Sequence, residues 1–213
     1  MSNNTSTTGH LLGAADIRRI AAEAGISPTK KFGQNFVIDP GTVRRIVREA
    51  DVTTNDHVME VGPGLGSLTL AILETGATMT AVEIDPPLAE RLPGTVAEFM
   101  PEAADRLTVV NRDALTVTPD NVPDFNGDTS FTLVANLPYN VATPILLTLL
   151  ERFEDLWHPK RETCMVRHCR TSGHYWAQCV LAGTERGFRT GEVHQIRRRR
   201  YAGTFPRQVL RGP

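Results

Sequence analysis

The segment Val58-Met59-Glu60-Val61-Gly62-Pro63-Gly64-Leu65-Gly66-Ser67-Leu68-Thr69 constrains this chain more than any other. Val58 to Val61 is an apolar run short enough for a buried strand. The turn after it carries glycine at every second position, and Leu68, Ala71, Ile72 and Leu73 continue at helical spacing. Strand, glycine turn and helix together form a ligand cradle, because glycine lets backbone approach a bound molecule with no Cβ between them. The spacing narrows the ligand. A dinucleotide fingerprint is G-x-G-x-x-G with pyrophosphate on the helix N-terminus, whereas here the glycines alternate and Glu60 stands two residues before them. An acid beside the loop repels phosphate and suits a cation, so the ammonium group of S-adenosylmethionine fits better than NAD. A glycine-rich turn that binds nothing has the same sequence, so the loop gains meaning only with the acids and strands downstream of it.

Residues 79 to 85, Met-Thr-Ala-Val-Glu-Ile-Asp, form a second apolar run that puts Glu83 at a strand tip, about 20 residues past the loop, where an acid accepts both hydroxyls of a ribose. Leu107 to Val110 is a third strand leading to Asp113. That carboxylate suits the amino group of an adenine equally as it suits capping its own turn. Phe131 to Ala135 is a fourth strand and delivers Asn136-Leu137-Pro138-Tyr139, with a helix resuming from Pro144 to Phe153. The repeated strand, loop, helix order implies an α/β fold with a mostly parallel, Rossmann-like sheet and ligands at the carboxyl ends of its strands. Asn136 to Tyr139 suits one chemistry in particular. A purine exocyclic amine is a poor nucleophile because its lone pair is delocalised, and methylating it requires the nitrogen to be pulled toward tetrahedral geometry in line with the donor. The Asn136 side-chain oxygen and the Leu137 carbonyl can accept the two amine protons, the Tyr139 ring can stack on a base turned out of its strand, and Pro138 stiffens the turn. No general base is needed once the nitrogen carries positive charge.

Upstream, Leu11 to Ala24 has helical spacing closed by Gly25, and Pro40 opens a helix to Ala50. Between them Lys30, Lys31 and Phe32 begin a basic and aromatic stretch with Asn35, Phe36 and Val37. Charge for phosphate and rings for bases suit a nucleic acid, and a surface loop with its phenylalanines tucked inward accounts for the same residues. Residues 1 to 10 are polar and are expected to be disordered.

Taken together, Phe32-Gly33-Gln34-Asn35-Phe36, Glu60 to Gly66, Glu83, Asp113 and Asn136-Leu137-Pro138-Tyr139 resemble, in order, the bacterial ribosomal RNA adenine N6-dimethyltransferase family. These enzymes dimethylate two adjacent adenines near the 3′ end of small-subunit rRNA. The resemblance covers about residues 9 to 157 and implies a class I S-adenosylmethionine-dependent methyltransferase domain over 11–157. It implies cofactor contacts at Asn35, Val37, Gly62, Gly64, Glu83, Asp113 and Asn136, with Leu137 and Tyr139 holding the target adenine. Leu137 favours RNA over DNA, since the DNA enzymes usually differ at that position. The implied partner is small-subunit rRNA, the implied role ribosome biogenesis, and the implied state a monomer.

Composition adds a break in the chain. The hydrophobic share of 40% and charged share of 22% are ordinary for a globular protein. The net charge of −1 conceals 11 Lys and Arg against 21 Asp and Glu in residues 1 to 157, and 12 against 3 in residues 158 to 213. No run of 18 apolar residues and no basic-then-apolar leader pattern are present, so a cytoplasmic location is expected. Cys164, Cys169 and Cys179 contain no C-x-x-C pair, so no metal is expected and the thiols are read as free. Family members continue after residue 157 with further strands, a second aromatic against the adenine and a small helical domain. Residues 158 to 213 show none of that pattern, so the sheet is expected to be incomplete at its C-terminal strands, with an exposed edge, poor solubility and weak or absent activity. Their richness in Arg, Cys, His and Trp is what a GC-rich gene yields out of frame. If His194-Gln195-Ile196-Arg197-Arg198 is encoded CAC CAA ATA CGG CGT, one base later it reads Thr-Lys-Tyr-Gly-Val, a family-like segment. A frameshift soon after residue 157 is the favoured hypothesis, which an in-frame nucleotide sequence would refute. A basic RNA-binding arm at Arg197 to Arg200 is its competitor. For the whole chain, the alternative to an enzyme is a noncatalytic RNA-binding or ribosome-assembly factor, and an NAD-linked oxidoreductase is disfavoured by the glycine spacing and Glu60.

Overall fold

A computed structural model describes residues 9–25, 39–123, 131–153, 163–171 and 174–182. Helix α1 (Ala14–Glu23) buries Ile17 and Ile20. It stops where Gly25, at φ 63°, takes the left-handed conformation that closes a helix cheaply only with glycine. Helix α2 (Pro40–Glu49) starts on a proline whose missing N–H is no loss at a first helical position. The Asp39 carboxylate caps it, accepting from the backbone N–H of Thr42 at 2.8 Å. Its inward face is Val43, Ile46 and Val47, the face its spacing predicts.

Strands β1 (His57–Val61), β2 (Thr78–Glu83), β3 (Leu107–Asn111) and β4 (Thr132–Pro138) alternate with helices α3 (Ser67–Leu73), α4 (Pro86–Phe99) and α5 (Tyr139–Arg152). The four strands are parallel, in the order β3-β2-β1-β4. Parallel strands need crossover helices, and these bury both faces of the sheet. Ile20, Ile46, Leu70, Ile72 and Leu92 pack on one face against Val58, Met79 and Val134. Met59, Val61, Leu133 and Ala135 turn to the other face, against Val117, Leu149 and Phe153. There Phe131 and Phe153 meet edge to face at 5.5 Å. Helix α5 begins at Tyr139 rather than at Pro144, so Pro144 lies inside it. Proline sets the φ a helix needs, so it marks a helix without fixing where the helix starts; its cost is one missing backbone donor.

Beyond residue 157 the sequence pattern suggests no strand, yet β5 (Thr163–Thr171) and β6 (His174–Ala182) form an antiparallel hairpin. Strand β6 runs antiparallel along β4, from Leu133 opposite Leu181 to Pro138 opposite Trp176. The β4 edge expected to be bare is therefore paired. Both stretches are nine residues long and free of Asp, Glu, Pro and Gly, and that composition allows extended pairing even without alternation. Among the described residues no helix is long and apolar enough to cross a membrane.

Candidate active site

The glycine turn after β1 has a conformational reason for its composition. Gly62, Gly64 and Gly66 have φ of 69°, 58° and 98°, a region that side chains with a Cβ enter only at a cost. The turn is held at each glycine. Gly62 N–H donates to the Val82 carbonyl at 2.9 Å, Gly66 N–H to the Pro63 carbonyl at 3.1 Å, and Gly64 N–H to Glu83 Oε2 at 3.1 Å.

Strand register then brings the sequence-predicted positions level. Asn111 pairs with Glu83, Val82 with Val61 and Val61 with Ala135, so Asn111, Glu83, Gly62 and Asn136 form one row across β3, β2, β1 and β4. Neighbours in that row are about 4.8 Å apart. A Cβ built on Gly62 would lie 3.4 Å from Leu137 Cδ2, so the glycine turn and the end of β4 are in contact. Leu137 is buried and Asn136 half-buried. Pro138 ends β4 and Tyr139 opens α5, so the four residues straddle a strand-to-helix junction.

Glu83 is 4% exposed. Burial raises its pKa, and hydrogen bonds from the backbone N–H groups of Asp85 and Gly64 oppose that rise. With Oε1 held by Asp85 N–H at 3.0 Å, its carboxylate is fixed in place and each oxygen keeps a lone pair for a further donor. Asn111 Nδ2–H and the Arg112 N–H both donate to the Glu83 carbonyl, at 2.8 and 2.9 Å, tying the ends of β2 and β3 together. Asp113 is half-exposed and caps the following 3-10 turn through Leu115 N–H to Oδ1, 2.9 Å. The cap uses one carboxylate oxygen, so capping and ligand contact are compatible at this residue.

Glu60 departs from the sequence reading. It is 1% exposed, on the β1 face turned toward α3, where its Oε2 accepts from Thr69 Oγ1 at 2.7 Å. Burial, and to a smaller degree repulsion from Glu83, push its pKa up to about 8 against the Thr69 bond, so near neutrality it is mainly an uncharged acid. It pins β1 to α3 on either side of the glycine turn and is not a standing anion for an ammonium group. The folded protein therefore holds a proton that the unfolded chain releases from about pH 4.5. The stability this contributes is full below that pH, falls as pH rises toward about 8, and is level above it. Glu60→Gln is expected to remove this slope, so that the difference in thermal midpoint between variant and parent moves by several degrees in the variant's favour from about pH 5 to pH 8. Parallel midpoint curves would sink the assignment.

A family profile described as ribosomal RNA adenine dimethylase matches residues 27–182. The chain belongs to that family. Relatives named ribosomal RNA small subunit methyltransferase A include one from Bifidobacterium longum subspecies infantis, 88% identical over 156 residues, covering 73% of this chain and 51% of the relative. Another, from Thermobifida fusca, is 58% identical over 160 residues, covering 74% and 53%. This chain thus spans about half the length of the relatives it matches. Among solved structures, the 23S rRNA methyltransferase ErmE superposes with a TM-score of 0.52 at 22% identity, covering 76% of this chain and 75% of that one. An O-methyltransferase from Bacillus cereus superposes with a TM-score of 0.50 at 10% identity, covering 78% and 89%. At these identities the likeness is one of fold, the Rossmann-like methyltransferase sheet.

In this member of the dimethylase family the described residues bring Gly62, Gly64, Glu83, Asp113, Asn136 and Leu137 to one end of the sheet. Asn35, Val37, Lys30, Lys31 and Phe32 lie outside the described residues. Two further side chains at this end escape a reading from sequence. Ile84, 48% exposed, and Leu115, 39% exposed, are the large apolar residues left open to solvent among those described, and each follows closely on a candidate cofactor acid. The available signal is an apolar residue placed just past a strand end, where a solvated loop would carry a polar one. The hydroxyl of Ser67, at the start of α3, is buried and has no hydrogen-bond partner among the described residues.

Proposed function

We propose that this chain carries the catalytic half of an S-adenosylmethionine-dependent enzyme that dimethylates N6 of two adjacent adenines near the 3′ end of small-subunit rRNA. The observation that carries this reading is the level row of Asn111, Glu83, Gly62 and Asn136, with Leu137 against the glycine turn. It sets a hydroxyl acceptor, a close-approach backbone and an amine-proton acceptor along about 14 Å of sheet edge, a span that suits a nucleoside cofactor and a base meeting end to end. The cofactor fits the residues present. Glu83 retains acceptor capacity for the ribose, Ile84 and Leu115 offer apolar contact to a purine's faces, and Asp113 Oδ2 remains for its amino group. When bound, S-adenosylmethionine supplies an electrophilic methyl group. Asn136 and the Leu137 carbonyl would hold the target amine, and Tyr139 would stack on its ring. The roles of Asn35 and Val37 in cofactor binding, and of Lys30, Lys31 and Phe32 on RNA, belong to the same proposal, as do a monomeric state and a cytoplasmic location.

The test is transfer of labelled methyl from S-adenosylmethionine to small ribosomal subunits lacking the modification. Incorporation into adenine supports the reading. Cofactor binding without incorporation favours the second one, an RNA-binding or assembly factor, for which the unmatched half of the relatives is the specific observation. Absence of cofactor binding overturns both the site and the reaction.

A further inference from the structure

The mouth of the site is acidic. Glu83, Asp85 and Asp113 stand at the carboxyl ends of β2 and β3, and the chain up to residue 157 carries 21 acids against 11 Lys and Arg. An RNA strand is a polyanion, so each carboxylate at this rim repels the phosphates that must pass over it. At about 8 Å in water one such pair costs on the order of 0.5 kcal/mol, and several add. A substrate strand crossing this edge needs a cation on it.

Among the described residues the loops that leave β1, β2 and β3 at this end hold one, Arg112, while Arg170 stands at the same end on β5, two strands beyond β4. The backbone of Arg112 is fixed from both sides. Its N–H donates to the Glu83 carbonyl at 2.9 Å, Asn111 before it donates to the same carbonyl, and Asp113 after it caps a 3-10 turn. Its side chain is exposed, and no ion pair or side-chain hydrogen bond ties it to another described residue. Several other arginines of the body are committed elsewhere, Arg19 and Arg91 to Glu98, Arg44 to Glu74, and Arg106 to the carbonyls of Leu73 and Ala77, while Arg18, Arg45 and Arg48 lie on α1 and α2, away from the strand ends. An uncommitted guanidinium on a rigid backbone is free to capture a phosphate, to which the planar fork bonds in bidentate fashion.

We propose that Arg112 is a phosphate anchor for the RNA strand, setting the strand's path from β3 toward Asn136. This rests on the reading of the site as an RNA methyltransferase centre. Strands β3 and β4 are three spacings apart, about 14 Å, and phosphates recur about every 3.4 Å along a stacked strand. The anchored phosphate therefore lies within roughly four nucleotides of the target adenine. Arg112 touches neither the reacting amine nor the methyl donor; it is a positioning residue.

The experiment uses the full chain and a labelled single-stranded oligonucleotide matching the 3′ end of small-subunit rRNA, titrated at several salt concentrations, with Arg112→Gln and Arg112→Lys beside the parent. Arg112→Gln is expected to weaken binding roughly three- to tenfold at low salt and to lower the slope of log affinity against log salt by about one. Arg112→Lys should restore the slope, because it restores the charge, while S-adenosylmethionine affinity stays as in the parent for both. An unchanged slope in Arg112→Gln, beside salt-dependent binding by the parent, overturns the anchor and leaves the proposed reaction standing. A loss of cofactor affinity with RNA binding intact also overturns it, by placing Arg112 on the nucleoside. If the parent shows no salt-dependent RNA binding, the anchor and the RNA reading fall together.

Discussion

Asn136→Ala is expected to lower methyl transfer at least a hundredfold while moving the thermal midpoint by no more than a few degrees. The size follows from what the side chain must do. The adenine amine becomes nucleophilic only as its lone pair leaves the ring, and that requires its two protons to be held by acceptors whose positions are set in advance. Losing one preorganised partner of a developing charge costs about a hundred- to a thousandfold in comparable sites. The fold is spared for a separate reason. Asn136 is half-buried at the end of β4, and the pairing of β4 with β1 and β6 is made by backbone groups that alanine keeps. Tyr139 separates stacking from hydrogen bonding. Tyr139→Phe keeps the ring and should retain most of the rate, whereas Tyr139→Ala loses base stacking worth about 1–3 kcal/mol, a further drop of roughly ten- to a hundredfold. Both are measured with labelled S-adenosylmethionine and unmodified small subunits, beside cofactor affinity. Parental rates in Asn136→Ala would mean that the row across the strand ends does not carry the chemistry.

The sequence made the body of the fold legible because β1, β2 and β4 are buried on both faces, which leaves mostly apolar runs such as Val58 to Val61 and Met79 to Val82 bounded by turn residues. The lining acids were legible for a related reason: Glu83 and Asp113 end apolar runs, and strand ends are where an α/β sheet exposes side chains. Glu60 shows where that logic stops. It lies inside a strand, and sequence alone does not say whether an acid two residues before a glycine turn faces a ligand or a helix; Thr69, one helical turn beyond the loop, decides it by supplying a buried donor. Ile84 and Leu115 were hidden because an exposed apolar residue has no periodic signature. The hairpin of β5 and β6 was hidden because its residues lack alternation, and its pairing comes from the backbone of β4. The tail keeps its puzzle among the relatives. The match at 88% identity takes in 73% of this chain and 51% of one relative, and the family profile runs on to residue 182; a shift in reading frame would end such a match abruptly, whereas gradual divergence would let identity decay. The coding sequence read one base later after residue 157 is expected to encode the missing family pattern; an unbroken frame there would leave the basic tail as a real extension.

Gly66→Ala is expected to destabilise the protein by roughly 2–6 kcal/mol, and the reason lies in the same turn that forms the cradle. At φ 98° and ψ 16° a residue with a Cβ is strained, a cost of about 1–3 kcal/mol. The added methyl would also stand 2.9 Å from Leu92 Cδ1 and 3.5 Å from Thr95 Cγ2. Leu92 is 0% exposed, in the core between α4 and the sheet, so it has nowhere to swing, and overpacking of this kind costs about 1–3 kcal/mol more. Against a total stability of about 5–15 kcal/mol this is a large share, and for a chain of this size it lowers the midpoint by roughly 5–25 °C. Gly62→Ala makes the informative contrast. Its φ of 69° lies nearer the ordinary left-handed region, and its nearest neighbour, Leu137 Cδ2, is at 3.4 Å, so the stability cost is smaller. Its methyl, however, would project where the backbone is meant to meet a ligand. The pair should therefore divide, with Gly66→Ala losing midpoint and Gly62→Ala losing cofactor affinity at near-parental midpoint. If Gly66→Ala melts with the parent, the turn is not held as described; if Gly62→Ala binds S-adenosylmethionine as the parent does, Gly62 is there for the backbone's conformation and not for the ligand's approach.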